Sequence, residues 1–76
     1  MKEFIEYLVK NLVDNPQNVE VFCNQGEKGW LFQVRVSPED IGKVIGRKGL
    51  TIKALRTIVV SVYARLGHRV QLEILE

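Results

Sequence analysis

Two glycines that enclose two cations, Gly46-Arg47-Lys48-Gly49, form the segment of the sequence best suited to chemistry. Glycine reaches the backbone angles that a tight reversal needs, and its missing side chain lets another backbone approach closely. Arg and Lys side chains bind phosphate oxygens. A helix predicted to begin at Leu50 would add unbonded amides from its first turn, where phosphate groups are favoured. The segment is therefore typical of a loop that holds a sugar-phosphate chain.

The charge is distributed unevenly around this loop. Residues 1–40 contain four bases and seven acids, residues 41–72 contain seven bases and no acid, and the last four residues contain two acids. A one-signed stretch attracts polyanions, and salt weakens that attraction. The charge alone does not distinguish a nucleic-acid partner from a solvated surface that keeps the protein soluble.

The hydrophobic pattern predicts the elements that must position the loop. Apolar residues at helical spacing predict a helix over 2–13, and alternation predicts strands over 19–24, 30–36 and 70–74. A short helix over 41–45 ends at Gly46, and a long helix runs from about Leu50 to Leu66. The order α-β-β-α-α-β predicts one α+β domain over 1–76, with the helices on one face of a three-stranded sheet.

Capping residues precede the short helix. In Ser37-Pro38-Glu39-Asp40, the serine is a helix-capping type and the proline suits the first helical position. Ser37 with Asp40 also matches a loose capping box. The segment therefore predicts a capped helix start.

The loop and its flanks resemble a known family. Residues 44–52, Val-Ile-Gly-Arg-Lys-Gly-Leu-Thr-Ile, resemble the KH signature V-I-G-x-x-G-x-x-I. The element order resembles the type II KH fold, with a mixed sheet, and the similarity is greatest to the small stand-alone bacterial KH proteins of the KhpA group. That resemblance implies binding of single-stranded RNA, a cytoplasmic location and dimerisation, including pairing with a larger KhpB (Jag, EloR) protein. It also implies a role as an RNA chaperone in cell-shape and envelope control.

The resemblance also assigns roles to residues by their place in the motif. The four loop residues would hold the RNA backbone, and an apolar groove formed in part by Ile41, Val44 and Ile45 would receive bases. Ile52 occupies a groove position too, but its place in the long helix favours ordinary core packing. Lys43 and Arg69 are further candidates for RNA contact, with solvated surface charge as the equal alternative.

Selectivity for particular bases is expected to be low. Few aromatic residues lie near the loop in sequence, and the connection Gly67-His68-Arg69 is very short. These features predict weak, sequence-tolerant binding. His68 is interpreted as an exposed turn residue.

The long helix presents a second surface. Its core stripe is predicted to contain Ile52, Leu55, Val59, Val62 and Leu66. The opposite side carries small or uncharged residues, where an exposed helix face normally carries Lys and Glu: Ala54, Thr57, Val60, Ser61 and Ala64. This face predicts a helix-to-helix dimer.

Three other classes of function are weaker. A helix-turn-helix DNA reader would need polar side chains at the start of its recognition helix, where Leu50, Thr51 and Ile52 stand. A protein-interaction module without RNA binding would not need Arg47 and Lys48. An enzyme would need a nucleophile with a base, and no such set is visible.

The remaining composition argues against several kinds of site. One cysteine, Cys23, rules out an internal disulfide, and ligands at metal-site spacing are absent, so neither a metal nor another cofactor is expected. No long apolar run predicts a signal peptide or a membrane span.

Overall fold

A computed structural model describes residues 2–75 of the chain. The helices and strands in chain order are α1 (Glu3–Lys10), β1 (Glu20–Gly26), β2 (Gly29–Arg35), α2 (Ile41–Ile45), α3 (Leu50–Arg65) and β3 (Val70–Ile74). Short 3-10 turns occupy Pro16–Asn18, Pro38–Asp40 and Arg47–Gly49. Within residues 2–75, the helices are too short or too polar for any of them to cross a membrane.

The three strands form one mixed sheet in the order β1-β2-β3. Strands β1 and β2 are antiparallel, with Gly26 opposite Gly29 at their shared turn. Strands β2 and β3 are parallel, and their register runs from Trp30 opposite Val70 to Val34 opposite Ile74. The predicted α+β class, the order α-β-β-α-α-β and the type II KH architecture are confirmed.

The core lies between one face of the sheet and the helices. Alternate residues of the strands point into it because successive side chains of a strand point to opposite faces. Phe32 and Val34 of β2 are fully buried, and Val9 of α1 and Val59 of α3 meet them from the helical layer. The buried apolar set is Ile5, Val9, Val19, Val21, Phe32, Val34, Val36, Val44, Ile52, Leu55, Val59, Tyr63, Val70 and Leu72.

The core stripe of α3 differs from its prediction in its second half. Ile52, Leu55 and Val59 are buried as predicted, but Val62 is 37% exposed and Leu66 is 65% exposed. Tyr63 continues the stripe instead, at 3% exposure, and its ring stacks on Phe32 with centroids 5.5 Å apart. Positions 62 and 63 lie on either side of the stripe axis, so the aromatic contact decided which one entered the core.

The first helix is shorter than predicted. It ends at Lys10, and Asn11 occupies its C-terminal cap, where the Asn11 side-chain amide donates to the carbonyl of Tyr7 at 2.7 Å. Leu12 and Val13 still pack against the core from outside the helix. The predicted boundary at 13 was therefore wrong because these two apolar residues belong to the following turn.

The predicted serine cap is also wrong. No side-chain cap bond forms at Ser37, and its hydroxyl accepts a hydrogen bond from the Asn18 side chain at 2.8 Å. The Asp40 carboxylate does not close a capping box either. It is fully buried and accepts hydrogen bonds from the amides of Asp14 and Asn15. Both side chains thus tie distant segments together.

Candidate nucleic-acid interface

The loop between α2 and α3 is built from left-handed backbone conformations. Gly46, with φ 78° and ψ 172°, ends α2, and Lys48 (φ 56°) and Gly49 (φ 74°) follow within the 3-10 turn. Left-handed angles cost a residue with a side chain about 1–2 kcal/mol, and glycine avoids this cost. Lys48 is the only residue other than glycine with positive φ within residues 2–75. The loop therefore has a defined shape rather than an extended one.

Gly46 is required by contact as well as by its backbone angle. A Cβ atom at this position would lie 2.2 Å from the Thr51 hydroxyl oxygen and 2.9 Å from the Thr51 backbone nitrogen. The first turn of α3 therefore packs directly against the Gly46 backbone. This contact holds the ends of the two helices close together, with the loop projecting between them.

The amides behind the loop are less available than the sequence suggested. The Gly49 N–H donates to the Gly46 carbonyl at 3.1 Å, and the Leu50 N–H donates to the Arg47 carbonyl. The 3-10 turn therefore uses two donors that an ordinary helix start would leave unbonded. The prediction of unbonded amides in the first turn of the helix is corrected at Leu50.

The two loop cations remain free for a ligand. The side chains of Arg47 and Lys48 are exposed, and neither forms an ion pair within the described part of the chain. Exposed cations on a backbone of fixed shape can contact phosphate oxygens without first breaking an internal salt bridge.

The predicted groove residues take three different positions. Val44 is fully buried, so it supports the loop from the core and offers no surface to a base. Ile45 is half-buried beside the loop. Ile41 is half-buried and lines a shallow cleft of about 260 Å³ together with Val36, Pro38, Arg35 and Leu75. The ligand contact for Val44 stays a prediction, and its burial favours the alternative of core packing.

The cleft beside Ile41 also contains residues that the sequence did not indicate. Arg35 ends β2, and Leu75 follows β3, where its N–H donates to the Val34 carbonyl at 2.8 Å. The parallel pairing of β2 and β3 brings both residues to the same end of the sheet. No motif in the sequence indicates this meeting because it depends on the register of two distant strands.

Lys43 is held by acids rather than left free. Its Nζ lies 3.1 Å from Asp14 Oδ2 and 3.6 Å from Asp40 Oδ1. The hydrogen bond and charge of Asp14, with a smaller contribution from Asp40, raise the pKa of Lys43 above its ordinary value. Its role is thus to anchor α2 on the turn after α1, and the acids compensate its charge.

Asp40 is the centre of that anchor. The side-chain amide of Asn15 adds a third hydrogen bond at 3.1 Å to those from the two backbone amides. Burial raises the pKa of the Asp40 carboxyl, but the hydrogen bonds from Asn15 and Asp14 and the charge of Lys43 outweigh burial, so the net pKa lies below its ordinary value. The carboxylate therefore stays ionised and fixes α2 in place.

Arg69 lies far from the loop. The loop precedes the first residue of α3, and Arg69 follows its last turn. A 16-residue helix is about 24 Å long. Arg69 therefore belongs to the opposite end of the domain, and the structure does not bring this candidate for RNA contact together with Arg47 and Lys48.

The predicted dimer face of α3 is exposed along its whole length. Ala54, Thr57, Val60, Ser61 and Ala64 all lie on the surface. Larger apolar side chains are exposed as well, and the most exposed of these are Leu50, Leu66 and, on α1, Tyr7. Tyr7 and Ile58 also line an apolar cleft of about 310 Å³ between α1 and α3. No pattern in the sequence of α1 indicates this contribution.

Comparison with known proteins gives a consistent result. The family described as "KhpA/KhpB, KH domain" matches residues 2–74. The chain is 50% identical over 76 residues to the RNA-binding protein KhpA of Chlamydia pneumoniae, covering 100% of this chain and 97% of the relative. It is 49% identical over 72 residues to KhpA of Streptomyces coelicolor (95% and 90%) and 45% identical over 76 residues to KhpA of Aquifex aeolicus (100% and 96%). No solved structure shows significant similarity.

Proposed function

The chain belongs to the KhpA/KhpB family of KH domains, and on that premise we propose that it binds single-stranded RNA by gripping the backbone at Gly46-Arg47-Lys48-Gly49. The relatives described above are named RNA-binding proteins. The observation that carries the proposal is the pair of unpaired, exposed cations on a loop of fixed left-handed shape. KH loops of this type clamp four backbone nucleotides.

The loop residues contact the RNA backbone, and the residues of the neighbouring cleft contact a base. Arg47 and Lys48 supply positive charge to phosphates, and Gly46 and Gly49 let the strand approach closely. The cleft beside Ile41 receives a base, with Arg35 at its rim, and Ile45 forms apolar surface next to the loop. Such contacts recognise shape and apolar surface more than hydrogen-bonding edges, so binding is sequence-tolerant. No catalytic step is part of the proposal.

The biological setting of the proposal follows the family resemblance. We place the protein in the cytoplasm as an RNA chaperone or post-transcriptional regulator, acting in cell-shape and envelope control. Its partner is a second copy, a KhpB-like protein, or both. The exposed apolar face of α3 supports this part because monomeric proteins rarely leave contiguous apolar surface without a use.

Charge reversal in the loop tests RNA binding. We expect Arg47→Asp/Lys48→Asp to reduce affinity for a 12-nucleotide RNA at least tenfold. We also expect a plot of log affinity against log salt concentration to become shallower, its slope decreasing in magnitude by about 1.4, because two phosphate contacts are lost. Fluorescence polarisation at several salt concentrations measures both effects.

Lys2→Asp/Lys10→Asp is a matched control for this experiment. It changes the net charge by the same amount at exposed positions of the α1 region, outside the loop. Circular dichroism confirms that both variants fold. RNA affinity that is equal in the two double variants would contradict the proposal.

A charge introduced into the predicted interface on α3 tests dimerisation. We expect Ser61→Glu to make the protein monomeric, since the carboxylate would be desolvated without a partner at the centre of the α3 face. Sedimentation at high protein concentration measures the mass, and Gln17→Glu, at an exposed site away from α3, is the control. A wild-type chain that remains monomeric at high concentration would remove the homodimer, and mixing with a KhpB-like protein would then test the heterodimer.

A further inference from the structure

The short helix α2 leads directly into the loop. It spans Ile41–Ile45, and the Gly46 N–H donates to the Gly42 carbonyl at 2.8 Å, so the loop begins where the last turn of α2 closes. A helix of five residues is not stable by itself, because helix nucleation is costly. Contacts with the rest of the domain must therefore set the position of α2, and the position of α2 sets that of the loop.

Two sets of contacts hold α2 in place. One is made by Val44, which is fully buried in the core. The other is a polar anchor that consists of Asp14, Asn15, Asp40 and Lys43. In this anchor the backbone amides of Asp14 and Asn15 donate to the Asp40 carboxylate at 3.3 and 3.0 Å, and Lys43 Nζ lies 3.1 Å from Asp14 Oδ2. The anchor therefore joins α2 to the turn that follows α1.

Lys43 is held within the anchor. Besides its pair with Asp14, its Nζ lies 3.6 Å from Asp40 Oδ1, and the Asp40 side chain is fully buried. A phosphate would bind Lys43 only by leaving that buried carboxylate without its cation, and breaking a buried pair in this way is strongly unfavourable. Lys43 is thus close to the loop in the chain but is not free for RNA, unlike Arg47 and Lys48.

The charge of the anchor opposes an RNA strand. Asp14 and Asp40 contribute −2 and Lys43 contributes +1, so the anchor sums to −1. The Asp14 side chain is 74% exposed, so its charge is open to the solvent around the loop region. By charge alone, removing the Asp14 carboxylate would strengthen the binding of a polyanion. An anchor that acts by holding α2 in position predicts the opposite result.

We infer that Asp14 and Lys43 are positioning residues of the RNA grip: they fix α2 so that Arg47 and Lys48 are presented to the strand, and neither contacts RNA. This inference rests on the proposed RNA binding and deepens it. An acid on the turn after α1 then strengthens the binding of a polyanion by the loop.

Neutral variants of the ion pair test the inference with a 12-nucleotide RNA. We expect affinity, measured by fluorescence polarisation, to fall about threefold for Asp14→Asn and about fivefold for Lys43→Met, within the range of an exposed ion pair. Adding Asp14→Asn to Lys43→Met should cause no further loss, because the partner is already absent. Plots of log affinity against log salt concentration should keep the wild-type slope, since no phosphate contact is lost. Lys43→Arg keeps the ion pair and should bind within about twofold of the wild type.

Matched controls remove the same charges elsewhere. Glu27→Gln and Lys28→Met each neutralise one exposed side chain on the turn between β1 and β2, outside the anchor and the loop. We expect each control to change affinity by less than about twofold. Circular dichroism and urea unfolding confirm that every variant is folded under the assay conditions, so a lower affinity is not a smaller folded fraction.

The possible results separate this inference from the function on which it rests. Tighter binding by Asp14→Asn would overturn the inference, because charge alone would then explain the role of Asp14. A slope smaller in magnitude by about 0.7 for Lys43→Met would also overturn it, since that change marks one lost phosphate contact. Affinities equal to those of the two controls would do the same. In each case the proposed function stands if binding still depends on Arg47 and Lys48. If the wild type binds no RNA, the function and the inference both fail.

Discussion

Three glycines around the loop provide a graded test of its conformation. Gly42, Gly46 and Gly49 lie within eight residues of one another, but a methyl group meets different surroundings at each. Replacing each by alanine therefore separates backbone angle from contact. We expect the free energy of unfolding to rise for Gly42→Ala, to fall moderately for Gly49→Ala and to fall most for Gly46→Ala.

The magnitudes follow from the local geometry. At Gly42, inside α2, no atom lies within 4 Å of the added Cβ, so alanine should stabilise the helix by about 0.5–1 kcal/mol. At Gly49 the nearest atom is 4.0 Å away, but φ is 74°, so the cost is about 1–2 kcal/mol. At Gly46 the backbone occupies a region that only glycine adopts readily, at a cost of about 1–3 kcal/mol. The contact 2.2 Å from the Thr51 hydroxyl adds an overpacking cost of about 1–3 kcal/mol.

Urea unfolding measures the order of the unfolding free energies of the three variants. All are compared at one protein concentration, since the stability of a protein that associates depends on its concentration. Thermal midpoints should separate by about 4–8 °C for each kcal/mol. Adding Thr51→Ala should not rescue Gly46→Ala fully, because the Thr51 Cβ would still lie 2.6 Å from the new methyl group. A Gly46→Ala variant as stable as Gly49→Ala would refute the contact argument, and a destabilised Gly42→Ala would refute the helix argument.

Two further predictions concern the core and its anchor. Tyr63→Ala should lower the free energy of unfolding by about 3–5 kcal/mol because its ring fills the space over Phe32. Val62→Ala should change the free energy of unfolding by less than about 1 kcal/mol. Equal losses for the two variants in urea denaturation would contradict the assignment of Tyr63 to the core stripe of α3. Asp40 has a lowered folded pKa, so its stabilising contribution is complete above its unfolded pKa, near 3.9, and is lost as the pH falls through the folded value. Unfolding free energies from pH 7 to pH 2 should therefore decline more steeply for wild type than for Asp40→Asn, and parallel curves would contradict the role of the ionised carboxylate.

Much of the fold follows from short-range patterns in the sequence. The alternation from Trp30 to Val36 predicted a strand and the repeat from Ile52 to Val59 predicted the long helix, because each depends on spacing along the chain. The loop was predictable for the same reason. Gly46 and Gly49 mark positive backbone angles without reference to any distant residue. The family motif and the element order are both local information of this kind.

Other features were decided only when distant segments met. Lys43 looked like a free cation until the turn after α1 placed Asp14 against it. Arg69 was a candidate for RNA contact, and the length of α3 places it far from the loop. The choice of Tyr63 over Val62 depended on a contact with Phe32, across the core.

The proposed binding surfaces also differ in whether local sequence or tertiary structure decided them. The sequence by itself determined the loop at Gly46–Gly49 and the small-residue face of α3, because both consist of consecutive or helically spaced residues. The cleft beside Ile41 required the sheet, since strand pairing brings Leu75 to the end of β2. A register between strands that are 40 residues apart in the chain has no local signature, so only the tertiary structure could place these groups together.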